Sequence, residues 1–250
     1  MEMSAVYVMW LREVKRFTRS RSRIVGSLSQ PLLFLVALGY GLGPIFRRAG
    51  QGDYFAFIVP GVISMSILFV SLFNGMQIIW DRQFGFLKET LVAPVSRLAI
   101  MGGRALGGAT VAMMQGTLVL VITMIAGFRP VSLTGMALGL VVMFFTALLF
   151  SALSMVIASR LRDMQGFQLI INFLGMPLFF LSGALFPIAH RSQGLGLVAR
   201  FDPLSYGVDA LRIFLVGHGV FGLTLDFTVL AGAIVAIFTL GARFFSRMEI

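Results

Sequence analysis

Apolar residues in this chain come in long, nearly uninterrupted runs separated by short polar segments. Runs long enough to cross a ~30 Å hydrocarbon core, which takes ~20 helical residues, fall at about 24–43, 55–79, 105–127, 135–158, 167–184 and 223–242. They predict an all-α membrane protein with six transmembrane helices. Residues 1–23 read differently. At ~100° per residue, Val6, Trp10, Val14 and Phe17 share one face and Arg12, Lys15, Arg16 and Arg19 the opposite one, which predicts an amphipathic interfacial helix with Trp10 at headgroup depth. The other exception is residues 179–212, FFLSGALFPIAHRSQGLGLVARFDPLSYGVDALR, where an apolar run breaks at Pro187, wanders and resumes as amphipathic. A break at membrane depth leaves backbone groups unpaired unless protein or a wet cavity satisfies them, so 185–222 predicts short re-entrant helices between spans 5 and 6. The expected organisation is an interfacial helix at 1–23 and a six-span unit at 24–250.

Composition agrees with a bilayer solvent. Hydrophobic residues make up 58% of the chain and charged ones 12%, with mean hydropathy +0.94, which leaves too little polar surface for a soluble domain of this size. Of the 20 Lys and Arg residues, 14 fall in segments 1–23, 80–104, 159–166 and 243–250 and six in 44–54, 128–134 and 185–222. The positive-inside rule therefore predicts cytoplasmic termini. The pI near 11.3 reflects membrane-surface charge, so no nucleic-acid partner is expected. Ala37-Leu38-Gly39 resembles a weak signal-cleavage site, but the basic region before it is too long and the apolar run continues to about Leu42, so no cleavage is expected. Cysteine is absent, which excludes disulfides, thiolate metal sites and cysteine nucleophiles; no metal site is predicted.

The broken segment beside the spans reads as the border of a pathway, which makes the chain a candidate transporter subunit, and two absences constrain how transport would be driven. The only lysines, Lys15 and Lys88, follow Val14 and Leu87, so there is no Walker A Gly-Lys-Ser/Thr to cradle phosphates. The six predicted runs hold one ionisable residue, Asp226, close to the outer end of the last, which disfavours ion coupling through midplane charges. Uncharged polar residues do occur within the runs. Besides Gln30, the residues Asn74, Gln77, Gln115, Gln168 and Asn172 are candidates for lining a translocation path, or for helix-to-helix hydrogen bonds. The long segment 80–104, WDRQFGFLKETLVAPVSRLAIMGGR, is where an external motor would push. Residues 86–92 predict a short helix ending before Pro94, with Phe84, Phe86, Leu87 and Leu91 more apolar than a solvated loop requires and Lys88 and Glu89 as a polar rim. The same pattern suits an amphipathic helix lying on lipid.

The stretch WDRQFGFLKETLVAPVSR, followed by GRALGG, together with FLSGALFP, a spacer and DPLSYGVDALR, resembles the permeases of type-2 ABC transporters, closest to the drug-resistance and nodulation-type exporters. The resemblance covers essentially the whole chain. It implies that about 81–93 form a coupling helix docking on a separate ATP-binding subunit, through Phe84, Gly85, Phe86, Leu87, Lys88, Glu89, Leu91 and Pro94. Many members carry Gly-Thr-Leu-Glu there; Gly85-Phe86-Leu87-Lys88-Glu89 places its acid one position later. ATP and Mg would be bound by the partner, with no cofactor in this chain and no covalent chemistry of its own. The resemblance also implies that short helices re-enter the membrane after the fifth span as an exit gate, with candidates Pro187, Pro203, Tyr206, Asp209 and Arg212. Pro187 would stop one half-helix, Asp202 cap the next with Pro203 in its first turn, and Asp209 and Arg212 pair at i, i+3. A homodimer in a prokaryotic cell membrane, exporting a hydrophobic or amphiphilic drug-like compound, is the expectation. The alternative substrate is a lipid-linked glycan or lipo-oligosaccharide; a channel or facilitator and a membrane-assembly factor are further alternatives. Glycine pairs Gly39/Gly43, Gly103/Gly107 and Gly135/Gly139 are spaced for close helix contact.

Overall fold

The computed structural model describes residues 2–48, 53–84, 96–161, 163–187 and 195–246. Its helices are α1 (Glu2–Arg19), α2 (Arg21–Arg48), α3 (Tyr54–Asn74), α4 (Met76–Gln83), α5 (Arg97–Ile125), α6 (Leu133–Arg160), α7 (Met164–Leu181), α8 (Leu195–Phe201), α9 (Pro203–Val216) and α10 (Leu223–Ser246). No strand occurs among the described residues. Six helical segments are long and apolar enough to span a membrane: α2, α3 continued through α4, α5, α6, α7 and α10. The second of them is the hub. Its apolar stretch is 83% buried, against 11% for α2 and for α10 and 22% for α7, so those three peripheral spans present largely uncovered faces.

Helix starts follow local chemistry. Asp53, Ser96, Ser132, Asp163 and Asp202 each cap a helix by accepting from a backbone N–H two or three residues on, the role short oxygen-bearing side chains fill best. Ser96 matters most for the architecture. It starts α5 at Arg97, and the preceding span runs on through α4 to Gln83, so the connection expected at 80–104 narrows to 84–96. Arg104, expected in that loop, lies inside a helix.

Helix α1 forms where its two-faced pattern placed it, but its apolar face meets protein. Phe17 is buried, and Trp10 Nε1 donates to Thr110 Oγ1 on α5 at 3.0 Å. Close approach depends on missing side chains. A Cβ on Gly103 would lie 2.7 Å from the Val6 carbonyl oxygen, and one on Gly107 2.8 Å from Glu13 Cβ. The Gly103/Gly107 seam is thus used within the chain, and so is Gly135/Gly139, which lies against Phe214, Leu211 and Leu215 of α9. On the α2 pair, Gly39 touches only Phe55 and Gly43 meets nothing within 4 Å.

The start of α1 also clasps the start of α5. Ser96 donates its N–H to Glu2 Oε1 at 2.9 Å and its hydroxyl to Oε2 at 2.5 Å. These bonds, the hydroxyl one foremost, hold the Glu2 carboxyl below its ordinary 4.5. A lowered carboxyl pKa stabilises the folded contact above 4.5, and that contribution is lost as pH falls through the lower folded-state value. Amide-exchange protection at the start of α5 is expected to drop on acidification below 4.5 in the wild type and to be low and pH-independent in Glu2→Gln.

Candidate functional site

At the end of the bundle that carries α1, three elements converge on one carboxylate. Asp81 on α4 is 6% exposed, and its Oδ2 accepts from Arg12 of α1 and, at 2.5 Å, from Arg104 of α5. Arg104 is 2% exposed, and its Nε and Nη1 have no partner. Beside it, Arg82 donates to the carbonyls of Leu161 (2.8 Å) and Ser159 (3.4 Å) at the end of α6. The segment entering the expected coupling region is therefore fastened to α1, α5 and α6. The sequence analysis singles out neither Asp81 nor Arg104 as a site residue; the available signal is an acid at the polar end of an apolar run, in a chain with ten acids. Phe84 closes α4, 62% exposed and stacked on Trp80 at 5.2 Å between centroids. Gly85, Phe86, Leu87, Lys88, Glu89, Leu91 and Pro94, with the short helix expected at 86–92, lie outside the described residues.

The path candidates separate into three environments. Asn74 and Gln77 line a cavity of about 530 Å³ between α1, α2, α3 and α4; Asn74 Nδ2 also donates to the Gly108 carbonyl at 3.1 Å, and Arg16 donates to Gln77 Oε1. Gln115 is sealed in the core with both amide atoms unpartnered, away from any opening. Gln168 and Asn172 sit one turn apart on the exposed face of α7, next to Leu169 and Phe173, which are 70% and 84% exposed. The five residues do not form one lining in a single chain.

At the far end the chain breaks as expected, but not at Pro187. Helix α7 stops at Leu181 with Ser182 as its cap, and Gly183 takes φ +73°, a conformation glycine adopts without a Cβ penalty; Pro187 is exposed four residues later. Protein satisfies the broken backbone. Arg212 Nη2 donates to the Gly183 carbonyl at 3.0 Å, Tyr54 Oη to that of Leu185 at 3.1 Å, and Ala184 rests on Gly61 of α3. Asp202 caps α9 by accepting from Leu204 N–H at 2.8 Å, with Pro203 in the first turn. Tyr206 Oη donates to the Arg200 carbonyl at 2.8 Å, and its ring packs on Phe221.

Asp209 and Arg212 make no ion pair with each other. The Asp209 carboxylate turns toward the loop after α9 and accepts from the N–H groups of Val220 (2.7 Å) and Phe221 (2.8 Å). Arg212 turns the other way, its guanidinium carbon 4.1 Å from the Phe57 ring centre. Two orphaned stretches of backbone, one on each side of α9, outbid the i, i+3 contact. Asp226, fully buried with both carboxylate oxygens unpartnered, lies in the first turn of α10.

A sequence model of the family described as ABC-2 type transporter matches residues 4–216. Nodulation protein J of Rhizobium leguminosarum bv. trifolii is 30% identical over 199 residues, 79% of this chain and 75% of that protein. The same-named protein of R. leguminosarum bv. viciae is 26% identical over 226 residues, covering 90% and 86%. The ycf38 protein of Pyropia yezoensis, named as a transport permease, is 30% identical over 209 residues, covering 80% and 70%.

Proposed function

The chain belongs to the ABC-2 type transporter family as a membrane permease, and from that premise we propose that two copies, driven by separate ATP-binding subunits that hold ATP and Mg, export an amphiphile across a prokaryotic cell membrane. The observation that carries the reading is the exposed pair Gln168 and Asn172 on α7. Facing hydrocarbon, two amides one turn apart would go without hydrogen-bond partners. A wet path between two permease copies, bordered by the uncovered faces of α7 and α2, satisfies them. Asn74 and Gln77 would border the same path from the α1 end. Of the two substrate readings, likeness to nodulation proteins favours a lipo-oligosaccharide or lipid-linked glycan over a drug-like compound.

On this reading the basic α1 end faces the cytoplasm, residues 1–23 being an interfacial helix docked on the six-span unit, in keeping with the excess of Lys and Arg there. The ATPase would seat on residues 81–93, with the Trp80–Phe84 stack at the root of the coupling segment. Pro203, Tyr206, Asp209 and Arg212 would form an exit gate closing the far end, held to the core through Gly61 and Gly135; Pro187 would border it.

Phe84→Asp with Leu87→Asp is expected to abolish co-purification with the ATP-binding subunit and loss of its stimulated ATPase activity should follow, while single-cysteine labelling in this cysteine-free chain reports an unchanged six-span topology. Unchanged co-purification would sink the coupling assignment. Ion conductance by the permease alone would make it a channel.

A further inference from the structure

The cavity beside Asn74 shares a lining residue, Arg16, with a second, strongly basic recess. The cavity wall is largely apolar and aromatic, formed by Phe17, Phe69, Phe73 and Trp80, with Arg23 at its α1 end and Gln30 and Pro31 deeper along α2. From Arg23 to Pro31 the helix rises about 12 Å, so the cavity runs along about two turns of α2. The recess, about 1000 Å³, is lined by Arg12, Lys15, Arg16, Arg19 and Arg21, with Asp81 as its one acid. Arg16 borders both. A cavity of about 530 Å³ falls within the size of ordinary small-molecule sites, roughly 300–1,000 Å³.

The cations are placed against their own interest. Arg12, Lys15, Arg16 and Arg19 repeat at i, i+3 and i+4 on α1, where like charges repel, and Asp81 is committed to Arg12 and to buried Arg104. Lys15, Arg19, Arg21 and Arg23 have no ion-pair partner among the described residues. An anion in the recess removes that repulsion. Anionic lipid in bulk would do so at any exposed basic face, but it does not account for an apolar cavity leading off the same arginine.

We propose that this paired recess and cavity is a binding site for a single anionic amphiphile from the adjoining leaflet, its charged head held by Lys15, Arg19 and Arg21 and its chain laid between α2 and α3 against Phe69, Phe73 and Trp80. Arg16 and Arg23 stand at the junction of head and chain. The inference deepens the export reading, on which this end faces the cytoplasm and the site is where the amphiphile is first taken up.

Trp80 in the cavity wall supplies the readout. The full-length permease in uncharged maltoside micelles is titrated with a brominated acyl chain bearing a phosphate monoester, with the same chain bearing phosphocholine, and with inorganic phosphate; Trp80→Phe identifies the Trp80 share of the quenching. The phosphate-headed chain is expected to quench Trp80 saturably and to bind at least about tenfold more tightly than the phosphocholine chain. Lys15→Gln/Arg19→Gln/Arg21→Gln, all at the exposed recess, should remove that preference by weakening the phosphate-headed chain far more than the phosphocholine chain, whose single phosphodiester charge is offset by its own choline. Inorganic phosphate should neither quench nor displace the chain at matching concentrations. Equal binding of the two heads by the wild type overturns the proposal, as does a triple variant that keeps the preference; displacement by phosphate at matching concentration also overturns it, since the chain then contributes nothing. Binding is measured without the ATPase. Failed ATPase coupling with this selectivity intact counts against the exporter reading alone, and the converse result against the amphiphile site alone.

Discussion

Asp81→Asn is expected to destabilise the folded permease by about 3–5 kcal/mol, the cost typical of removing one partner from a buried ion pair. The asymmetry of the triad sets the size. Arg104 is 2% exposed and bonds only through Nη2, so neutralising Asp81 leaves a buried guanidinium without its ion-pair partner, Glu13 bordering the same small cavity but outside ion-pair distance. Arg12 has 36% of its side chain exposed, and Arg12→Gln should cost only about 0–1 kcal/mol. Replacing both buried partners, Asp81→Asn with Arg104→Met, should recover much of the loss, since an apolar side chain of similar length leaves no charge to compensate. Thermal unfolding of the detergent-purified protein, followed by tryptophan fluorescence, orders the four proteins. An Asp81→Asn variant no less stable than Arg12→Gln would mean that Arg104 does not depend on this carboxylate. On the export reading, the same variant should also uncouple ATP hydrolysis from transport, because Asp81 links the root of the coupling segment to α1 and α5.

The second large effect belongs to the far end. A methyl group added at Gly61 would lie 2.2 Å from the Ala184 carbonyl oxygen, and one at Gly135 2.2 Å from that of Phe214. Both obstacles are backbone, in segments already fixed by Arg212, Tyr54 and the Val131 N–H to Leu215 carbonyl bond of 3.1 Å. Neither can rotate aside, so α3 must separate from the break, or α6 from α9. Gly61→Ala and Gly135→Ala are each expected to cost about 1–3 kcal/mol, as overpacking does. Gly232→Ala is the control, with nothing within 4 Å of its added carbon; helix propensity alone should make it neutral or slightly stabilising. Export should fall in the first two variants while the ATP-binding subunit still co-purifies. Loss of that co-purification would show that the far end supports the whole bundle and is not a separable gate.

Much of the architecture was legible in the sequence because the bilayer enforces it. An apolar run of sufficient length has few alternatives to a spanning helix, and the two-faced charge pattern of α1 survives any docking. Asp202 with Pro203 marked the start of α9 for similarly local reasons. Where the structure departs from the sequence pattern, the cause is a distant partner. Pro187, the most conspicuous residue, predicts the break, whereas α7 ends six residues earlier, where Ser182 and Gly183 turn and Arg212 from another helix takes up the freed carbonyl. The Asp209–Arg212 pair satisfied helical spacing, but each side chain had a more demanding partner in backbone that spacing cannot see. Gln115 lies sealed in the core of the single chain, and an amide in an apolar run has one appearance whether it faces a cavity or the core.

By itself, then, the sequence determined the six apolar crossings, the amphipathic first helix, the interrupted segment before the last crossing and the absence of a phosphate-binding loop, since each depends on residues adjacent in the chain and on the solvent around them. Tertiary structure alone decided that Gly103, Gly107 and Gly135 are contact points within one chain, that Arg12 and Arg104 meet on Asp81, and that a basic recess and an aromatic cavity share Arg16. Those facts depend on which helix faces come together across dozens of residues, and in a bilayer apolar composition distinguishes faces poorly, because lipid and protein interior are nearly equivalent surroundings for an apolar side chain.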